Sequence, residues 1–136
     1  MATLKQFEDL GIWQKSRTIC QKLYKLTETA PCSKDFTFKD QIRRSSGSIM
    51  DNIAEGFGRQ GSREFIQFLS IAEGSCAELQ SQLYRALDQK YISENEFQEI
   101  FDLTKRIQAG IIQLCKYLKS SPHPGNKFPK SKPPQP

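Results

Sequence analysis

The chain has 136 residues, of which 37% are hydrophobic and 26% charged, and a formal net charge of +5. That length suits one domain around one core. No apolar run approaches the ~18 residues of a membrane span, and the start, MATLKQFEDLGIW, lacks the apolar segment and cleavage site of a signal peptide, so a cytoplasmic protein is expected.

The first predicted helix runs from about Leu10 to Thr29. Ile12, Ile19, Leu23 and Leu26 form its apolar stripe, with Trp13, Cys20 and Tyr24 beside it, and Pro31 stops it. Phe7 and Trp13 are expected to fasten its start to the rest of the fold. The second helix runs from Phe36 or Phe38 to Gly58, with Asp35 or Thr37 as its cap. Ile42, Ser46, Ile49, Ile53 and Phe57 lie on one of its faces, while Ser, Gly, Asn and charged residues fill the others. A helix this polar needs more than one neighbour. GFGRQGS, residues 56–62, breaks it, and Ser62 is expected to cap the third helix.

The third helix carries Phe65, Phe68 or Leu69, Ala72, Cys76, Leu79, Leu83 and Ala86 or Leu87 at a spacing near 3.5, a coiled-coil-like seam. The fourth opens on Ser93 with Glu96 three residues on, a capping box, and continues through Phe97, Ile100 or Phe101, Ile107, Ile111, Leu114 and Leu118 to about Lys119. From Ser120 the chain reads SSPHPGNKFPKSKPPQP, a segment with little to bury that is expected to be disordered. The fold class is therefore all-α: an antiparallel up-down-up-down four-helix bundle over residues 1–119, followed by a flexible basic Pro/Lys-rich tail over 120–136. Cys20, Cys76 and Cys115 fall on or beside apolar stripes and read as core residues, whereas Cys32, next to Pro31 in a loop, is expected to be exposed.

FEDLGIWQKSR, KDQIRRSSGSIMDNIAEGFGR and SREFIQFLSIAEGSCAELQSQL resemble the four-helix-bundle proteins encoded in intervening sequences of bacterial 23S ribosomal RNA genes, over roughly residues 7–118. The resemblance implies a bundle that assembles as a ring, typically a homopentamer. It extends distantly to the accessory variability proteins of diversity-generating retroelements, basic pentamers that associate with a reverse transcriptase and its RNA. It implies no catalytic residues.

Charge is unevenly spread, with +3 over residues 1–64, −2 over 65–118 and +4 over 119–136. The bundle is close to neutral, which leaves only a local argument for nucleic acid. Arg43, Arg44, Arg59 and Arg63, with Lys39 and Arg17, are the candidate phosphate contacts, because the planar guanidinium fork donates two bonds at once. Arg59 and Arg63 also flank a helix N-terminus, where free backbone N–H groups favour an anion. The alternative is ordinary surface charge.

Gly47, Asp51, Ala54 and Gly58 share a strip on the second helix. Small residues there admit another helix, either from a sister subunit or within the same bundle. Along a second strip, Asp40–Arg44 and Glu55–Arg59 are acid-first i,i+4 pairs, and Asp51 and Glu55 repel. That strip is either solvated or a charge network between subunits, with Arg44 or Arg59 reaching a carboxylate of the next copy. The expected interface set is Arg44, Gly47, Asp51, Ala54, Glu55 and Gly58.

Enzyme signatures are few. The only histidine is His123, which removes histidine triads and Glu-x-x-His metal sites, and no GxxxxGK[ST] loop occurs. No catalytic residue, metal, cofactor or small-molecule substrate is expected. The reading is a non-catalytic ring-forming scaffold or adaptor, bound to itself and associated with structured RNA or a reverse transcriptase. The competing reading is a protein–protein scaffold without nucleic-acid contact.

Overall fold

Four long helices form because four segments each carry one apolar edge and a chemical stop at each end. The structure, a computed structural model, describes residues 4–120. Its helices are α1 (Gly11–Thr27), α2 (Phe36–Phe57), α3 (Ser62–Asp88) and α4 (Glu94–Ser120), with short 3-10 turns at Phe7–Asp9 and Cys32–Lys34. No strand occurs among the described residues. α4 runs one residue past the expected boundary, to Ser120, and the rest of the expected tail lies outside the described residues.

Cap chemistry explains most of the ends. Of the two candidate caps for α2, Asp35 accepts the Phe38 N–H at 3.2 Å. It also accepts the Tyr91 hydroxyl at 2.7 Å, tying the α3–α4 junction to the start of α2. These two bonds, Tyr91 first, hold the Asp35 carboxyl below its ordinary value. The Ser93–Glu96 capping box forms in both directions, at 2.8 and 3.1 Å. The expectation for Ser62 is overturned: Gly61 is the N-cap, in an extended conformation, and Ser62 is the first helical residue. One position too far along, the Ser62 hydroxyl is buried without a hydrogen-bond partner among the described residues. α3 ends at Asp88, and two residues on Lys90, with a φ of 60°, turns the chain in the left-handed region.

Each helix touches the next in sequence, α4 returns to α1, and the diagonal pairs do not meet. The contacts run in opposite senses. Along α2 and α3, Gln41 meets Arg85, Ser48 meets Ser75, and Gly56 meets Phe65. Along α1 and α4, Lys22 meets Glu99 and Ile12 meets Gly110. The buried stripes include Ile19, Ile49, Leu69 and Ile107, each with no exposed surface. Burial of these faces drives assembly of the bundle at about 25 cal/mol per Å² of apolar area.

The polar content of α2 is largely used inside the chain. Ser48 and Ser75 share a 2.8 Å hydrogen bond across the α2–α3 seam, and Asn52 donates to the Ser48 carbonyl at 2.8 Å. Ser46 returns its hydroxyl to the Arg43 carbonyl at 3.0 Å. Ser46 also lies against Cys20 of α1. α2 thus packs on two flanks, with short hydroxyls filling the seams where longer side chains would hold the helices apart.

Cys32 is 3% exposed, against the expectation of an exposed thiol. The connection from Thr27 to Phe36 is short, so its 3-10 turn closes one end of the bundle and its first side chain points inward. Cys76 is fully buried, and loss of solvation pushes its thiol up to about 12 from the ordinary 9.0. A thiol raised in this way adds stability while the unfolded chain keeps its proton, and that contribution is lost as pH rises from about 9 towards 12. With a thiol reagent at pH 8, Cys115, which is partly exposed, is expected to react first. Cys76 should react only as fast as the protein unfolds, and a fast burst at Cys76 would contradict its burial.

Candidate nucleic-acid interface and assembly face

The six candidate cations separate into groups with different duties. Arg43 and Lys39 converge on Glu28, just past the end of α1, at 3.2 and 3.9 Å. The Arg43 Nε also donates to the Thr27 hydroxyl at 2.8 Å, and its guanidinium lies 4.1 Å from the centre of the Tyr24 ring. Arg43 is therefore a half-buried clamp between α1 and α2, with its hydrogen-bonding capacity largely occupied.

Arg44 and Arg59 form the expected i,i+4 pairs, with Asp40 at 3.0 Å and with Glu55 at 2.8 Å. Both pairs are exposed and worth about 0.3–0.5 kcal/mol each, so they leave the arginines easily diverted to another anion. Arg59 also lies over the Phe68 ring at 4.8 Å, and its Nε is buried without a hydrogen-bond partner among the described residues. Arg63 is exposed in the first turn of α3, and Arg17 is exposed on α1 above Trp13, 5.9 Å from its ring centre. Neither forms an ion pair among the described residues. Arg59 and Arg63 stand on the α2–α3 turn and in the first turn of α3, four residues apart. The fold sets Arg43 sixteen residues away from Arg59 along α2, roughly 24 Å.

The small-residue strip divides as well. Gly47 has nothing within 4 Å of where a Cβ would stand, so it makes no tight contact within the chain. Ala54 packs partly against the core, and Gly58 closes α2 with its N–H shared between the Ala54 and Glu55 carbonyls. Asp51 is exposed and has no ion pair among the described residues, while Glu55 is held by Arg59. The Asp51–Glu55 repulsion is thereby relieved on the Glu55 side. Because Gly47 is a helix-interior glycine in open space, Gly47→Ala is expected to stabilise the lone chain by about 0.5–1 kcal/mol in urea melts. A loss of stability would mean that something fills that space.

Three features carried no readable sign in the sequence. Gly56 and Gly110 are the close-approach glycines: a Cβ at Gly56 would stand 2.7 Å from the Phe68 Cβ, and one at Gly110 would stand 2.5 Å from the Ile12 Cγ2. Arg85 is the third. It donates to Gln41 at 3.3 Å, lies over Phe38 at 5.2 Å, and with Arg44, Ser48 and Gln82 lines a polar groove of about 410 Å³ between α2 and α3. Its partners are more than forty residues away in the chain, so no local pattern marks it. No helix among the described residues is long and apolar enough to cross a membrane.

A family model described as the 23S rRNA-intervening sequence protein matches residues 8–113. No curated protein matches the chain. Among solved structures, a protein of unknown function from the S23 ribosomal protein family of Bacteroides thetaiotaomicron is 27% identical, with a TM-score of 0.70 over 77% of this chain and 98% of its own.

Proposed function

The chain belongs to the 23S rRNA-intervening sequence protein family, and from that premise we propose that it is a non-catalytic scaffold that assembles with its own copies. The assembly is a homo-oligomeric ring, with five copies as the expected number. It works in the cytoplasm beside structured RNA or an RNA-handling enzyme such as a reverse transcriptase. The observation that carries this reading is the outer face of α2. Gly47 stands there facing open space and Asp51 without an ion pair among the described residues, although a helix-interior glycine costs about 1 kcal/mol relative to alanine.

RNA contact rests on Arg59 and Arg63 at the α2–α3 turn, with Arg44 and Arg17 on the outer surface and Arg43 and Lys39 in a lesser role. One copy offers a weak patch, and a ring repeats it along a single ligand, which raises the effective affinity. One observation favours a protein–protein scaffold without nucleic acid: four of the six cations are already paired with carboxylates of the same chain.

An electrophoretic shift with structured RNA across a salt series tests the two readings. Binding that falls steeply with log salt, survives deletion of residues 120–136 and weakens in Arg59→Ala/Arg63→Ala supports the first. Each phosphate contact removed should lower the slope by roughly 0.7–0.9. Absence of a shift at low salt supports the second. A solution mass of one chain, 15.6 kDa, would overturn the ring in either case.

A further inference from the structure

Unpaired basic charge gathers on α1 and unpaired acidic charge on α3, two helices that do not pack on each other. α1 carries Lys15, Arg17, Lys22 and Lys25 and no acid. Only Lys22 finds an ion pair among the described residues, with Glu99 of α4 at 3.2 Å. α3 carries Glu64, Glu73, Glu78 and Asp88 against Arg63 and Arg85; none of its carboxylates is in an ion pair among the described residues, although Glu78 shares the α2–α3 groove with Arg44 and Arg85. α1 and α3 sit diagonally without contact, so within one chain neither helix can neutralise the other.

The shapes of the two surfaces also differ. Between α1 and α2 lies a mostly apolar groove of about 690 Å³, lined by Arg17, Cys20, Gln21, Tyr24, Lys25 and Met50. Gly47, without a Cβ contact, lies on the outer side of α2 one turn from Met50 and leaves that approach open. On the outer face of α3, Ile71 is 52% exposed and Gly74, one turn on, has nothing within 4 Å of its Cβ position. Glu64 and Glu78 lie seven residues to either side of Ile71, about 10.5 Å along the helix and on the same face. Arg17 and Lys25 bracket the groove about 12 Å apart against about 21 Å between Glu64 and Glu78, so at each end about 4.5 Å must be spanned by the long Arg, Lys and Glu side chains.

We propose that the α1–α2 groove of one copy receives the Ile71 ridge of α3 from a second copy, with Glu64 and Glu78 facing Arg17 and Lys25. The proposal rests on the self-assembly reading above and names the two surfaces that meet. Because groove and ridge are different surfaces, the contact is head-to-tail, and its repetition closes a ring or runs on as a filament. Opposite charge fixes the order of the copies, and the buried apolar ridge holds them.

The full chain is tested in two ways. In the first, Ile71→Cys is oxidised mildly and run on a non-reducing gel. A disulfide requires Cα atoms about 4.4–6.8 Å apart. Since α1 and α3 do not touch within a chain, a bond from Cys20 to the introduced thiol can only join two copies. The expected result is a ladder of covalent oligomers that disappears when Cys20→Ser is added and persists when Cys115→Ser is added. In the second, Arg17→Glu/Lys25→Glu is sized by light scattering beside the same chain with Glu64→Lys/Glu78→Lys added. The first variant is expected to fall to single chains and the second to regain the wild-type mass, with circular dichroism unchanged in both. An oligomeric wild type with no Cys20-dependent ladder, or with a mass indifferent to both reversals, overturns this pairing and leaves self-assembly standing. A monomeric wild type overturns both.

Discussion

Trp13→Ala is expected to lower the unfolding free energy by about 3–5 kcal/mol, the largest loss from any single truncation at the start of the chain. Trp13 is 9% exposed and meets Phe7 edge-on, with ring centres 5.1 Å apart at 64°. That contact holds the Phe7–Asp9 turn against α1 together with the Gln14 amide, which donates to the Glu8 carbonyl at 2.8 Å, while Asp9 accepts the Lys5 and Gln6 N–H groups at 3.1 and 3.3 Å. Removing the indole thus empties a core site and loosens the segment before α1. Trp13→Phe keeps a ring against Phe7 and should lose clearly less. Urea melts followed by circular dichroism measure both variants, since Trp13 is the sole tryptophan and its fluorescence disappears with it. Equal losses in the two would mean that a smaller ring at this site recovers nothing and that the stability depends on the indole itself.

Gly56→Ala is expected to destabilise the bundle by about 1–3 kcal/mol, against the usual direction for glycine in a helix interior. Its Cβ would stand 2.7 Å from the Phe68 Cβ and 2.9 Å from the Phe65 Cδ1. The Phe68 Cβ is fixed to its own backbone and cannot swing aside, so α2 and α3 must separate. Phe57 and Phe65 pack edge-on at 6.0 Å beside this crossing and would be disturbed with it. The propensity gain of about 1 kcal/mol is smaller than the strain. Gly47→Ala, nine residues earlier on the same helix, supplies the contrast of opposite sign, because its Cβ meets nothing. If both substitutions stabilise, the α2–α3 crossing is looser than described; if both destabilise, the outer face of α2 is already occupied.

Much of the fold could be read from local chemistry. The 3.6-residue rhythm of apolar side chains decides where a helix is, and it did so for all four, with ends within about two residues. The α4 capping box and the Asp35 cap follow from side chains that reach only the nearest turn. The one misplaced cap, Ser62, failed for a local reason too: Gly61 is able to take the extended conformation that ends the loop one residue earlier. Cys32 was misjudged because its burial depends on which way a short 3-10 turn faces, and that is set by the helices it bridges.

The candidate site was legible in residue type and illegible in availability. Arg43 and Arg44 are neighbours in sequence, yet one is clamped by Glu28, Thr27 and Tyr24 and the other stands exposed beside Asp40. A one-residue step turns a side chain by about 100° around the helix, enough to move it from a seam to open water. Gly47, Gly56 and Gly58 likewise look alike in the sequence. One faces open space, one lets α3 approach, and one ends the helix.

The sequence by itself determined four amphipathic helices, their order and nearly all their ends, because helix formation and capping depend on groups within a few residues of each other. Only the tertiary structure decided which charges are neutralised, which glycines are spaces and which are contacts, and which helices never meet. Those outcomes depend on the rotation of each helix against neighbours twenty to a hundred residues away, and side-chain pairing at that range is fixed by packing.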